Sequence, residues 1–144
     1  MVQIHQFSFE VYPFRLWISI TNNIGVLEER FRDSDSTELR LRDIFYKSKA
    51  TTSIAVERET ENIGILLIFR TKSYANVATI AHEAAHVADM MWEMIGERNR
   101  GEEANAYLVG WVASKCDFVK KFKKPKEENK DGQANNAVSE GLDN

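Results

Sequence analysis

The stretch HEAAHVADMMWEMIGERNRGEEANAY (residues 82–107) determines the fold that the sequence predicts. Its first part has apolar residues at helical spacing, and the pattern extends from Ser73, which can cap a helix, to Gly96, which can end one. After a short loop, a second helix is predicted to begin near Glu102 and to end around Val119. The stretch therefore predicts two consecutive helices, with the histidines of HEAAH in the middle of the first.

The sequence before these helices predicts strands. Residues 2–22 are rich in β-branched and aromatic residues and are interrupted at Pro13, which predicts two strands. The runs TTSIAVERE (51–59) and NIGILLIFR (62–70) flank a short polar segment and predict a hairpin. The second run is almost continuously apolar, as is typical of a strand covered on both faces. Residues 25–46 are charged, with weak helical spacing.

Together these elements predict one α+β domain over residues 1–119. We expect a small, mostly antiparallel sheet packed against the HEAAH helix and the helix that follows it. A chain of 144 residues, 43% of them hydrophobic, is sufficient for one ordinary core. Residues 120–144 are polar and low in aromatics, so we predict a disordered tail.

Charge and composition argue against several classes of protein. The net charge of −3 provides no basic field, so no nucleic-acid partner is expected. The single cysteine, Cys116, cannot form an internal disulfide and is interpreted as a small apolar helix residue. No apolar run has the length of a membrane span, and the first residues lack the pattern of a signal peptide. We therefore expect a soluble, cytoplasmic protein with no membrane partner.

The HEAAH motif indicates a metal site with a catalytic base. His82 and His86 are four residues apart, so a helix presents both imidazoles on one face, where they can bind one metal ion. The Glu83 carboxylate can reach a metal-bound water and take its proton as the water attacks a carbonyl. This predicts one Zn²⁺ per chain, with Glu83 as general base. The alternative is that the three residues form the polar face of an amphipathic helix.

A catalytic zinc site needs a third protein ligand. The metzincin pattern is excluded, because Asp89 and Trp92 occupy its glycine and last histidine positions. The remaining candidates, Glu102 and Glu103, have side chains that diverge by about 100° on a helix. Glu102 has the spacing of a capping pair with Asn99, which accounts for it without a metal.

Helical periodicity also favours Glu103, although Glu102 stays open. Glu103 shares a face with residues that we expect to pack on the first helix, namely Ala106, Tyr107, Gly110 and Trp111. Asp89 lies one turn beyond His86 and can accept the second N–H of that histidine; it is equally interpretable as an exposed helix aspartate.

HEAAH followed by a glutamate on the next helix resembles the gluzincin branch of the zincin metallopeptidases. The segment containing Glu103, Ala106 and Tyr107 is similar to the Glu-x-x-Ala segment of compact members, and the layout resembles small zincin-like proteins of bacteria and phages. The resemblance is specific over about residues 62–115. It implies hydrolysis of a peptide bond in a protein or peptide substrate. The implied ligands are His82, His86 and Glu103, and the implied base is Glu83.

The resemblance also implies roles for two further parts of the chain. At the position of Tyr107, many gluzincins have an aspartate that supports a ligand histidine. Tyr107 either contributes to the surroundings of the metal or packs in the core. In zincins a strand entering the motif helix often borders the cleft and pairs with extended substrate, which is implied for NIGILLIFR (62–70). The competing function is a zincin-shaped module, without catalysis, that binds or regulates a protein. Nucleic-acid binding through the lysine-rich tail ranks last.

Overall fold

The structure, a computed structural model, describes residues 2–9 and 12–126. The elements in chain order are β1 (Ile4–Ser8), β2 (Arg15–Ile20), α1 (Ile24–Arg30), β3 (Phe31–Arg32), α2 (Arg42–Phe45), β4 (Ala50–Glu57), β5 (Ile63–Phe69), a 3₁₀ turn (Lys72–Tyr74), α3 (Val77–Met94) and α4 (Glu102–Lys121). The predicted strand pair, hairpin and two long helices are all present. Most of the predicted tail, residues 120–144, lies outside the described residues, and its first two residues belong to α4.

Five strands form one sheet in the order β1-β2-β5-β4-β3. Three neighbouring pairs are antiparallel, but β2 runs parallel to β5, with Arg15 opposite Gly64 and Ile20 opposite Phe69. The α+β class is therefore confirmed, whereas the predicted mostly antiparallel sheet is corrected to a mixed one with a parallel pair at its centre. The reason is the connection: the chain leaves β2 through α1, β3, α2 and β4 before it returns as β5. A long connection of this kind lets two neighbouring strands run in the same direction.

Helices cover both faces of the sheet. Because side chains alternate along a strand, β2 and β5 contribute residues to two separate clusters. The cluster under α3 and α4 includes Leu16, Ile18, Ile65, Leu67, Phe69, Ala84, Val87, Val112 and Cys116. The cluster under α1 and α2 includes Trp17, Leu27, Phe31, Phe45, Leu66 and Ile68. β5 is thus the central strand that its continuous apolar run predicts.

The ends of α3 are set by local backbone chemistry. Asn76, rather than the predicted Ser73, caps the helix: its side-chain oxygen accepts a hydrogen bond from the backbone N–H of Thr79 at 3.0 Å. Ser73 lies one turn earlier, in the 3₁₀ turn. At the other end, Gly96 has a positive φ of 72°, so the prediction that it ends the helix is confirmed.

One glycine is required by close packing of the central strands. A Cβ atom at Gly64 would lie 2.3 Å from the backbone oxygen of Arg15 and 2.7 Å from the Trp17 ring. β2 can therefore approach β5 only because residue 64 has no side chain.

Candidate metal centre

The two histidines of HEAAH lie side by side on the exposed face of α3. The Nε2 atoms of His82 and His86 are 3.1 Å apart, and the ring planes are inclined at 79°. Two nitrogens bound to one tetrahedral zinc ion, each at 2.0–2.1 Å, would be separated by about 3.3 Å. The observed separation is close to that of two zinc ligands, and it is also a hydrogen-bonding distance, with donor and acceptor set by the tautomers of the two rings.

Glu83 lies on the flank of α3 that faces the sheet. It is one of the few charged residues in the interior, with 6% of its surface exposed. Its Oε2 atom accepts a hydrogen bond from the Thr52 hydroxyl of β4. Glu83 and His82 both line a surface cavity of about 390 Å³, together with Ala50 and its neighbours at the start of β4. The predicted base and one predicted ligand thus share a space open to solvent.

The predicted third ligand lies apart from this pair. Within residues 2–9 and 12–126, no group of three His, Cys, Asp or Glu side chains is placed to hold a metal ion. Glu103 is exposed in the first turn of α4 and lines a different, larger groove of about 830 Å³, beside Phe9, Tyr12 and Trp92. The structure places His82 beside His86 and places Glu83 at the cavity that His82 lines, and the ligand role of Glu103 stays a prediction.

The face of α4 that packs on α3 is not the predicted one. Asn105, which is in line with Glu102, accepts a hydrogen bond from the Trp92 indole at 3.0 Å. Tyr107, which is in line with Glu103, is 77% exposed. Both the prediction that the Glu103 line packs on α3 and the core-packing interpretation of Tyr107 are therefore wrong.

The capping explanation of Glu102 is not supported either. Gly101 is the N-cap of α4, and no side chain makes a capping hydrogen bond there. Asn99 instead donates its backbone N–H to the Glu97 carboxylate. Neither the capping pair nor the packing face favours Glu103 any longer, since the contact with α3 is made by Asn105, which is in line with Glu102. The choice between Glu102 and Glu103 stays a prediction.

Asp89 is engaged with the loop between the helices. Its Oδ1 atom accepts a hydrogen bond from the Arg100 guanidinium, and its side chain is 56% exposed. The exposed-aspartate interpretation therefore describes its position. A supporting role at His86, like a role for Tyr107 near the metal, stays a prediction.

Cys116 lies on the inner face of α4 with 1% of its surface exposed. Burial, followed by the negative charge of Glu83, raises the pKa of this thiol to about 12. The interpretation of Cys116 as a small buried residue is confirmed, and the thiolate needed for metal binding is disfavoured.

We expect native Cys116 to react with iodoacetamide at pH 8 about 1000-fold more slowly than the unfolded chain, because the thiolate is the reactive form and its fraction falls by about that factor. The rate is measured by mass spectrometry with and without urea. Equal rates would show that the thiol is accessible and ionised in the native protein.

β4, rather than β5, is the strand with a free edge beside HEAAH. β3 pairs only with Val56 and Glu57, so no strand among the described residues covers the outer edge of residues 50–55. β5 is enclosed between β2 and β4. The implied pairing of NIGILLIFR with substrate is therefore wrong, because that strand has no free edge.

Thr52 was not singled out from the sequence. A threonine on a predicted strand is ordinary, and its distance from Glu83 becomes known only when β4 is placed beside α3.

Comparisons of the chain with protein-family models, with curated proteins and with solved structures found no match. In the described part of the chain, none of the helices combines the length and the apolar character that crossing a membrane requires. The predicted cytoplasmic location and the expected lack of a nucleic-acid partner stay predictions.

Proposed function

We propose that this protein is a zinc-dependent metallopeptidase. The observation that carries the proposal is the 3.1 Å separation of the His82 and His86 Nε2 atoms, next to the buried carboxylate of Glu83. In a zinc hydrolase, an HExxH helix supplies two histidines four residues apart as metal ligands and the intervening glutamate as general base. We also propose that α3 and α4 pack against each other as the two ligand-bearing helices of zincins do.

Each residue has a defined task in this function. Zinc, when bound, supplies a water of lowered pKa and polarises the carbonyl under attack. His82 and His86 would hold the metal through their imidazole nitrogens, and Glu103 of α4 is the proposed third ligand, with Glu102 as the alternative. Glu83 accepts the proton of the attacking water and passes it to the leaving amine. Thr52 binds Oε2 of Glu83, which leaves Oε1 for the proton.

The free edge of β4 supports a peptide as the substrate. An extended peptide can add to an exposed strand through backbone hydrogen bonds, with alternate side chains directed to either face. Residues 50–55 offer such an edge, and Ala50 lines the cavity that contains His82 and Glu83. A peptide paired there would lie beside the proposed base.

Zinc content tests the proposal. The wild-type protein, dialysed after loading with zinc, is expected to retain about one zinc per chain by mass spectrometry. His82→Ala and His86→Ala are expected to lower the content to near zero, because each removes one of the two nitrogens that meet at 3.1 Å.

Two further variants identify the third ligand. The resemblance to gluzincins implies Glu103 as the third ligand, so we expect Glu103→Ala to lose zinc. The neighbouring Glu102→Ala removes the same group one position away and should retain zinc. The reverse result would assign Glu102. A wild-type protein that retains no zinc would leave HEAAH as the polar face of a helix and would contradict the proposed function.

The groove beside α4 supports a second candidate, a zincin-shaped module that binds or regulates a protein without catalysis. The groove is lined mainly by apolar and aromatic side chains and includes Tyr107, whose ring is largely exposed. Exposed aromatic residues are typical of protein interfaces. A Glu83→Gln variant with full biological activity would favour this candidate over the peptidase.

A further inference from the structure

We propose that Thr52 is a positioning residue for Glu83, and that its hydroxyl fixes the carboxylate in the orientation needed for proton transfer. This inference rests on the proposed peptidase function. According to this inference, β4 both pairs with the substrate and, through Thr52, orients the carboxylate of Glu83.

The first observation is that the Glu83 carboxylate is buried and that its observed partner is a neutral group. Only 6% of Glu83 is exposed, and among the described residues no ion pair involves it. A buried carboxylate without a counter-ion depends on hydrogen bonds to offset its lost hydration. The Thr52 hydroxyl donates such a bond to Oε2. A hydrogen bond to an ionised acceptor is stronger than one between neutral groups.

The second observation is that the sheet holds Thr52 rigidly. Its backbone pairs with Leu67 of the central strand β5, so the hydroxyl is presented from a paired segment rather than from a loop. Threonine is also restricted at χ1, since its Cβ is branched. A rigid donor fixes Oε2, and this orients the other carboxylate oxygen, Oε1, relative to His82 and the shared cavity.

The adjacent Thr51 provides a matched control. Successive side chains of a strand point to opposite faces, so Thr51 faces away from α3. Its hydroxyl is buried and has no hydrogen-bond partner within the described residues. The two threonines share residue type and strand. Thr51 is buried and Thr52 is partly exposed, and the hydroxyl that donates to Glu83 is that of Thr52.

The first experiment detects the contact without using activity. Urea unfolding is measured for Thr52→Val in the wild-type background and in a Glu83→Leu background, where the acceptor is absent. We expect Thr52→Val to lower the unfolding midpoint in the first background and to leave it nearly unchanged in the second. Equal shifts in both backgrounds would show that the hydroxyl does not act through Glu83 and would overturn the inference.

The second experiment detects the effect on catalysis. Zinc-loaded variants are assayed on fluorescein-labelled casein, and zinc content is measured in parallel. Thr52→Val is expected to lower kcat about tenfold with KM and zinc content unchanged, whereas Thr52→Ser, which keeps the hydroxyl, should stay within about threefold of wild type. Thr51→Val should keep the wild-type kcat.

The outcomes separate this inference from the proposed function. Wild-type kcat in Thr52→Val, or an equal loss in Thr52→Ser and Thr52→Val, would overturn the positioning role alone. A wild-type protein that binds zinc but does not hydrolyse casein would contradict the peptidase function. It would also overturn the positioning role of Thr52, which depends on that function.

Discussion

Replacing Glu83 by Gln is expected to lower peptide hydrolysis by about 10²–10⁴-fold, the range that a general base contributes. Glutamine has nearly the same shape and can still accept a hydrogen bond from the Thr52 hydroxyl. It cannot take a proton from water at neutral pH. The measurement is kcat/KM for zinc-loaded wild-type and variant proteins on the same labelled protein substrate.

The control for this prediction is zinc content. Glu83→Gln leaves His82 and His86 in place, so the variant should hold as much zinc as wild type. Glu93→Gln, an exposed glutamate on the same helix, should keep full activity. Hydrolysis by Glu83→Gln at the wild-type rate would show that this carboxylate is not the base.

Replacing Gly64 by Ala is expected to destabilise the protein by about 3 kcal/mol, near the upper end of the usual cost of overpacking. The new Cβ would lie 2.3 Å from the Arg15 backbone oxygen. A flexible side chain could move away, but this oxygen belongs to the paired strand β2. Either the parallel β2–β5 pairing must open or the strand must shift. Urea unfolding monitored by circular dichroism measures the change.

Gly110→Ala is the matched control because it makes the same substitution where there is space. A Cβ at Gly110 would meet nothing within 4 Å, and the residue lies inside α4. Alanine is favoured over glycine in a helix by about 1 kcal/mol, so this variant should be more stable than wild type. Similar destabilisation by both variants would rule out the steric explanation for Gly64.

Much of the fold could be predicted from the sequence because local patterns determine it. Pro13 separates β1 from β2, the polar segment after β4 makes a hairpin, and Gly96 ends α3. The parallel pairing of β2 with β5 could not be predicted in this way. It depends on how segments far apart in sequence pack, and no local sequence pattern indicates which strands become neighbours. Similarly, Ser73 and Asn76 are both favourable N-cap residues. Asn76 is the cap because Ser73 lies in the 3₁₀ turn that precedes the helix.

For the candidate site too, the features within one helix could be predicted from the sequence, whereas those that depend on packing between elements could not. The spacing of His82, Glu83 and His86 is a property of one helix, and in the structure His82 lies beside His86 and shares a cavity with Glu83. The choice between Glu102 and Glu103 depends on how α4 is rotated against α3. Because α4 is apolar on several sides, its periodicity did not reveal that Asn105 rather than Tyr107 lies toward α3. Thr52 required the placement of a strand beside a helix, which a single sequence does not contain.

The parallel pairing of β2 with β5 also has a consequence for how the chain folds. The β1–β2 and β4–β5 pairs join segments that are close in sequence, so each can form by closing a short loop. Joining β2 to β5 instead closes a loop that contains all the chain between Ile20 and Ile63, at an entropic cost that only the completed sheet offsets. Contacts of such high sequence separation slow folding. The rate-limiting step is therefore expected to be the meeting of two preformed hairpins.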